Sequence, residues 1–222
     1  ALWKNKIAVL VGDYLLSKGL LLSLNNADFK VLQILSEAVK QMSEGELLQM
    51  EKSRKLNLDE AVYYEIINGK TASLLASACA AGATSTTTDE SIIDKMRLFG
   101  QNVGMAFQIK DDLFDYGNDD IGKPTGNDIK EKKMTLPLIY TLNHVDGATK
   151  KQLIYTIKNE HNNKDKVKWI IKQVQETGGI GYANNKMIQY RDNALTILHQ
   201  FPASDERNAL EELVRYTTDR KF

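Results

Sequence analysis

The sequence predicts an all-α protein, one helical bundle, and three observations carry that prediction. Pro124, Pro137 and Pro202 are its only prolines, so the whole stretch before Pro124 is free of them. An interior proline costs a helix about 3 kcal/mol, and long uninterrupted helices are therefore permitted there. Alternating β-branched residues are scarce, and apolar residues recur instead at helical spacing, as in Ile92, Met96, Phe99, Val103, Phe107 and Phe114.

A first helix is expected over Leu2–Leu24, ended by Asn25-Asn26, and a second over Ala27–Met50. A third is expected over Leu58–Ala81, with Asn57 as its N-cap and Gly82 as its break. Asp89 caps a fourth over Asp89–Tyr116. Shorter helices are expected at Leu136–Leu142, Ala148–Lys158, Asp165–Glu176, Gly181–Gln200 and Ser204–Arg220, with Gly178-Gly179 as a break. No internal repeat or linker-like stretch divides the chain, so residues 1–222 are read as one helical domain.

Composition excludes several classes. Lys plus Arg is 29 and Asp plus Glu is 29, a balance that argues against gripping nucleic acid, which needs excess cations on phosphate. With 42% hydrophobic and 26% charged residues the chain can bury a sizeable core. One cysteine, Cys79, rules out an intrachain disulfide framework and suits a reducing cytoplasm. Ile7–Leu24 is the most apolar run, but Asp13 and Lys18 interrupt it, so no transmembrane segment is read. The first Met is Met42, and a longer natural N-terminus is expected. The lysine-rich stretch 150–172 is read as a solvated helix pair.

Three helices place charge where an apolar stripe should run. Asp13 shares a face with Val9, Leu10, Leu16 and Leu20, and reads as a buried carboxylate paired with a cation. Lys70 shares a face with Tyr63, Ile66, Ile67 and Leu74, where its stem can lie on the core while the ammonium snorkels outward. Gln108, Asp111, Asp112 and Asp115 fall within an arc of about 100°.

Like charges at i,i+4 destabilise a helix, so the cluster Asp111, Asp112 and Asp115 needs an offset. A divalent cation supplies one: Mg²⁺ prefers oxygen ligands, takes one or two carboxylates and completes its shell with phosphate and water. An EF-hand register through Gly117 would put Phe114, Tyr116 and Lys123 at ligand positions, which excludes it. A solvated acidic helix end remains open on spacing alone. The next segment, Gly122-Lys123-Pro124-Thr125-Gly126-Asn127-Asp128, then Lys132-Lys133, adds a glycine-rich loop with cations, which suits a polyphosphate group. It is neither a Walker A loop nor a GxGxxG fingerprint.

On these residues the chain resembles the trans-isoprenyl diphosphate synthases, specifically the polyprenyl synthetases. Phe107 through Asp115 matches the family's second aspartate-rich motif, and Gly122-Lys123-Pro124, Gly126, Asp128, Lys133 and Thr135-Leu136-Pro137 match the family pattern downstream of that motif. Lys70-Thr71, Gly45-Glu46 and Gly12-Asp13-Tyr14-Leu15 match further signatures, as do the late Gly178-Gly179-Ile180, Tyr182-Ala183 and Ala194. The resemblance implies an isoprenoid-synthase helical bundle that condenses an allylic diphosphate with isopentenyl diphosphate, as a homodimer. It implies Mg²⁺ held by Asp111 with Asp112 or Asp115, diphosphate contacts from Lys70, Lys123 and Lys133, and oxygens of Gln108 and Thr71 facing the allylic cation. Phe107, with Ala8, Val11, Leu15 and Leu75, is the expected lining of an apolar tunnel for the growing tail.

The family's first aspartate-rich motif is expected before Ala1, so this chain alone is expected to be inactive or nearly so and the natural protein longer and active. The Trp3-Lys4-Asn5 and Gly12–Leu15 context resembles medium- and long-chain synthases more than farnesyl ones. The alternatives are a non-catalytic subunit of a heteromeric prenyl synthase, against which the intact acidic cluster and lysines argue, and a terpene cyclase, against which the Gly122–Pro137 block argues.

Overall fold

The computed structural model describes residues 5–55, 59–117 and 125–220. Among them every regular element is helical. Helices α1 (Asn5–Asn25) and α2 (Phe29–Lys55) are joined by a tight turn at Asn26–Asp28. Helix α3 (Glu60–Ile67) runs through a π-helical turn over Asn68–Ala72 into α4 (Ser73–Thr84). After α5 (Glu90–Phe114) come the short α6 (Asn127–Lys130), then α7 (Leu136–His144) and α8 (Gly147–Asn159). Helices α9 (Lys164–Thr177), α10 (Gly179–Leu198) and α11 (Asp205–Asp219) complete the order.

The expected helices are all present, and local details differ, among them that Gly82 is no break but lies inside α4, which runs on to Thr84. Asn57 lies outside the described residues; Asp59 caps α3, its carboxylate accepting from the Val62 amide at 2.8 Å. The third helix is not uniform, because a π turn sits within it at Lys70-Thr71. Such turns place an extra residue in the helical circuit and are frequent at functional sites. Asp89 caps α5 as expected, accepting from the Ser91 amide at 2.9 Å.

Helix α5 is the central element. It buries Ile93, Phe99, Val103, Met105, Ala106 and Ile109 between α4 on one side and α10 on the other. Its approach to the π turn is close: a Cβ on Gly104 would stand 2.5 Å from the Ala72 Cα. The main core joins Tyr63, Ile67, Ile109 and Tyr116 to Leu136, Leu138, Leu153, Ile170 and Met187. A second cluster sets Phe99 and Val103 against Ala194, Leu198 and Val214.

Helix α1 departs from expectation. Ser23 is its one buried residue, while Val9, Leu10, Tyr14, Leu15, Leu21 and Leu22 are exposed. Asp13 is exposed as well, so it is not the buried carboxylate anticipated. The expectation fails because the helix is apolar all round and only its end touches the rest of the described fold. Among the described residues α1 is also the one helix long and apolar enough, by length and composition alone, to cross a membrane.

Candidate active site

One cleft lies between α2, the α3–α4 helix and α5. Gln49, Ser53, Tyr63, Lys70, Thr71, Gln108, Asp111, Asp112, Asp128, Lys133 and Thr135 line it. The α2 wall reaches the π turn because of Gly45: a Cβ there would stand 2.7 Å from the Lys70 amide nitrogen. That crossing sets Glu46 and Gln49 beside Lys70. The Lys70 Nζ is 2.6 Å from Glu46 Oε2 and donates to Gln49 Oε1 at 2.8 Å. Lys70 therefore turns into the cleft, held by two oxygens, and is not simply snorkelling to bulk water.

A hydrogen-bonded chain crosses the cleft floor. Thr71 Oγ1 donates to Gln108 Oε1 at 2.7 Å, and Gln108 Nε2 donates to Asp112 Oδ1 at 3.0 Å. The Tyr63 hydroxyl donates to Asp112 Oδ2 at 2.8 Å. Burial pushes the Asp112 carboxyl up to about 7, although Gln108 and Tyr63 pull it down. Burial, with the Asp112 charge beside it, also raises the Tyr63 phenol well above its ordinary value.

Asp115 faces another way. Its Oδ1 and Oδ2 accept from the backbone amides of Asn127 and Asp128 at 2.7 and 3.1 Å. It holds the start of α6 and is absent from the cleft lining, with burial and the Asp128 charge raising its carboxyl to about 6. Among the described residues, Asp111, Asp112 and Asp115 thus do not converge as a metal-ready cluster. Asp115 is set apart by position: Asp111 and Asp112 line the cleft, and Asp115 does not.

Asp128 takes its place on the cleft wall. The sequence matched it to the family pattern downstream of the aspartate-rich motif but assigned it no role in the site. Lys133 Nζ lies 3.2 Å from Asp128 Oδ1 and 2.7 Å from Glu131 Oε2. Burial lowers the Lys133 ammonium, but those carboxylates outweigh it and raise the group overall. Burial raises Asp128, against the pull of Lys133.

Lys123 lies outside the described residues. Asp111 is on the cleft rim, with the Arg220 Nη2 4.0 Å from its Oδ1. The Arg220 guanidinium stands 4.5 Å from the Phe107 ring centre and 5.2 Å from that of Phe114. Phe107 is therefore turned under Arg220 and not into the cleft. Leu75 packs in the second core cluster, and Ala8, Val11 and Leu15 are on the exposed helix α1, so none of the five tunnel candidates lines the cleft.

A helical bundle whose cleft gathers three carboxylates, one of them buried, and two lysines defines a class of protein suited to a polyanion carried with cations. Comparison with known proteins is specific. The polyprenyl synthetase family model matches residues 1–174. Component 2 of the heptaprenyl diphosphate synthase of Bacillus subtilis is 31% identical over 224 residues, covering 100% of this chain and 63% of that relative. The all-trans-nonaprenyl-diphosphate synthase of Rhodobacter capsulatus is 32% identical, over 99% of this chain and 67% of its own length. Among solved structures, a polyprenyl synthase from Caulobacter crescentus CB15, complexed with calcium and isoprenyl diphosphate, superposes with a TM-score of 0.90 at 35% identity, covering 99% of this chain and 68% of that one. A decaprenyl diphosphate synthase from Rhodobacter capsulatus gives 0.92 at 32% identity, with the same coverage. This chain belongs to the polyprenyl synthetase family, and its fold is the all-α fold of those synthases. It spans about two thirds of the length of these relatives.

Proposed function

We propose that the protein is a prenyltransferase that condenses an allylic diphosphate with isopentenyl diphosphate to build a trans-polyprenyl diphosphate of medium or long chain. The single observation that carries this reading is the shared cleft of Asp111, Asp112, Asp128, Lys70 and Lys133. The relatives named as heptaprenyl, nonaprenyl and octaprenyl synthases support the product class.

The donors suit Mg²⁺, a hard cation that takes oxygen ligands. Asp111 and Asp112, adjacent on the cleft lining, would hold it, with substrate phosphate and water completing its shell. When bound, the ion supplies positive charge at the leaving diphosphate. Lys70 and Lys133 do the same from the protein: opposite unit charges 4 Å apart attract by about 4 kcal/mol at an effective dielectric of 20. Charge fixed where the leaving group develops it lowers the barrier to allylic C–O ionisation. Thr71 and Gln108, bonded to each other, offer oxygens to the allylic carbon as it becomes cationic. No carboxylate base is required, since the released diphosphate can take the final proton.

A homodimer is the assembly we favour, supported by the apolar, exposed surface of α1. A heteromeric assembly is the second reading, favoured by the relatives named as component 2 of a synthase. Sedimentation of the natural protein alone separates them: a dimeric mass supports the first, and a monomer that gains mass only with a second gene product supports the other. We place the protein in the cytoplasm, a setting that a chain with the single cysteine Cys79 suits.

Turnover is tested by giving the natural protein labelled isopentenyl diphosphate, an allylic diphosphate and Mg²⁺. Label in a prenyl diphosphate longer than the primer is expected, and loss of that label in EDTA. Hydrolysis or cyclisation of the primer without incorporation contradicts the reading.

A further inference from the structure

Resting on the reading of the cleft as a metal-dependent diphosphate site, we infer that Tyr63 is a positioning residue that fixes the Asp112 carboxylate toward the cation. Tyr63 lies outside the aspartate-rich motif, on the helix facing it, and is only 3% exposed. Its hydroxyl reaches 49 residues along the chain to Asp112 Oδ2, at 2.8 Å.

The geometry makes Tyr63 more than a filler. A carboxylate offers about four lone-pair directions on two oxygens. Gln108 occupies one direction on Oδ1 and Tyr63 occupies one on Oδ2. With a donor on each oxygen, rotation of the carboxylate about its last bond is stopped, and the remaining lone pairs are left for the cleft. Gln108 holds one oxygen from within α5, and Tyr63 ties the other to a second helix, so the carboxylate is fixed to α3 as well as to its own helix.

Tyr63 provides the donor from outside α5, and its own place is firmly set. Its ring meets Tyr64 edge to face, with centres 5.5 Å apart. The Tyr64 hydroxyl donates to Glu60 Oε1 at 2.9 Å, and Tyr182 of α10 donates to the same oxygen at 2.6 Å. The start of α3 is thereby tied to α10, and the phenol is presented to Asp112 from a fixed frame. The fixed carboxylate also orients Gln108: its amide nitrogen is committed to Asp112, which turns its carbonyl oxygen to the Thr71 hydroxyl. Groups of this kind, one shell removed from a metal, typically alter its affinity by 10–100-fold.

The test is a titration with Mn²⁺ alone, read by loss of the free-ion paramagnetic resonance signal, on wild type, Tyr63→Phe and Tyr64→Phe. Each variant removes one hydroxyl and keeps the ring, so packing is retained. Tyr64→Phe is the control: it loses a hydrogen bond in the same helix, but to Glu60 and away from the cleft. Tyr63→Phe should bind Mn²⁺ about 10-fold more weakly than wild type, while Tyr64→Phe binds it as wild type does. Circular dichroism at the titration temperature verifies that both are folded. Should Tyr63→Phe fail to fold, Tyr63→Trp and Tyr63→His, which keep an aromatic donor, enter the same titration, and affinity at or near wild type in either supports the assignment. Equal Mn²⁺ affinity in wild type and Tyr63→Phe overturns it while leaving the site reading intact. Equal weakening in both Phe variants also overturns it, because that is a structural effect. Absence of Mn²⁺ binding in wild type overturns it together with the reading on which it rests.

Discussion

Helices α1 and α5 invert each other. In α1 the apolar residues face outward, with Val9 64% and Leu22 63% exposed, and the one buried residue is a serine. In α5 polar residues go inward, with Asn102 and Asp112 buried among Ile109, Met105 and Val103. The difference lies in partnership. Each inward polar group of α5 has a bond: Asn102 donates to the Leu98 carbonyl at 2.7 Å, and Asp112 accepts from Tyr63 and Gln108. Buried polar groups are tolerated when so satisfied. The apolar side of α1 has no comparable cover among the described residues. A helix of this kind is stable in a protein when something apolar packs on it. The site thus belongs to the helix that breaks its hydrophobic pattern inward, and the uncovered apolar surface to the helix that breaks it outward.

The sharpest way to break this division is at Asp111. In the natural protein Asp111→Ala should lower turnover by orders of magnitude with the fold intact, read by steady-state kinetics at saturating Mg²⁺ and by circular dichroism. Activity within a few-fold of wild type would remove α5 from the chemistry. Lys70→Met comes next: it keeps the stem but loses the ammonium held by Glu46 and Gln49. The expected outcome is a strongly raised KM for the allylic diphosphate or a lowered kcat, with a ligand-free melting temperature little changed. Unchanged kinetics would leave Lys70 as scaffold.

The packing of α5 makes a third prediction. A methyl at Gly104 would meet the Ala72 backbone, so Gly104→Ala should cost about 1–3 kcal/mol in chemical denaturation. A neutral result would mean that α5 and the π turn are less tightly joined than their spacing indicates. The fourth concerns pH. Asp112 is raised from 3.8 to about 7 by burial, so between those values the folded state binds more protons than the unfolded state. Stability then falls as pH rises through that window, since its slope tracks the excess of protons bound by the unfolded state, here negative. Metal-free protein should lose melting temperature from about pH 4 toward about pH 7, and Asp112→Asn should flatten that part of the profile. The smallest effect belongs to α1: Leu22→Glu should change the stability of the separated protomer by less than about 0.5 kcal/mol while weakening assembly in sedimentation. A large loss of protomer stability would mean that Leu22 is already covered within the chain.

Sequence periodicity revealed the helices because the recurring apolar residues mark an inward side: on α5, Phe99 and Val103 are buried and Ile92, Met96, Phe107 and Phe114 partly so. Family motifs placed Lys70, Thr71, Gln108, Asp111 and Asp112 near one another, and they do line one cleft. Distances between helices are not encoded in either. The role of Gly45 depends on a backbone crossing, and Tyr63 reads in the sequence as another member of an apolar stripe. Asp115 misleads because helical spacing puts it with its neighbours, whereas α5 ends at Phe114 and Asp115 turns to amides beyond it. Phe107 likewise goes with Arg220, a contact more than a hundred residues away that no local pattern encodes.

The most direct test is a crystal of the protein grown with Mn²⁺ and an allylic diphosphate, mapped by anomalous scattering. The account predicts a Mn²⁺ peak bonded to the Asp111 carboxylate, with Asp112 facing it and the diphosphate reaching between Lys70 and Lys133. Metal and diphosphate bound together away from the α5 cleft would contradict it.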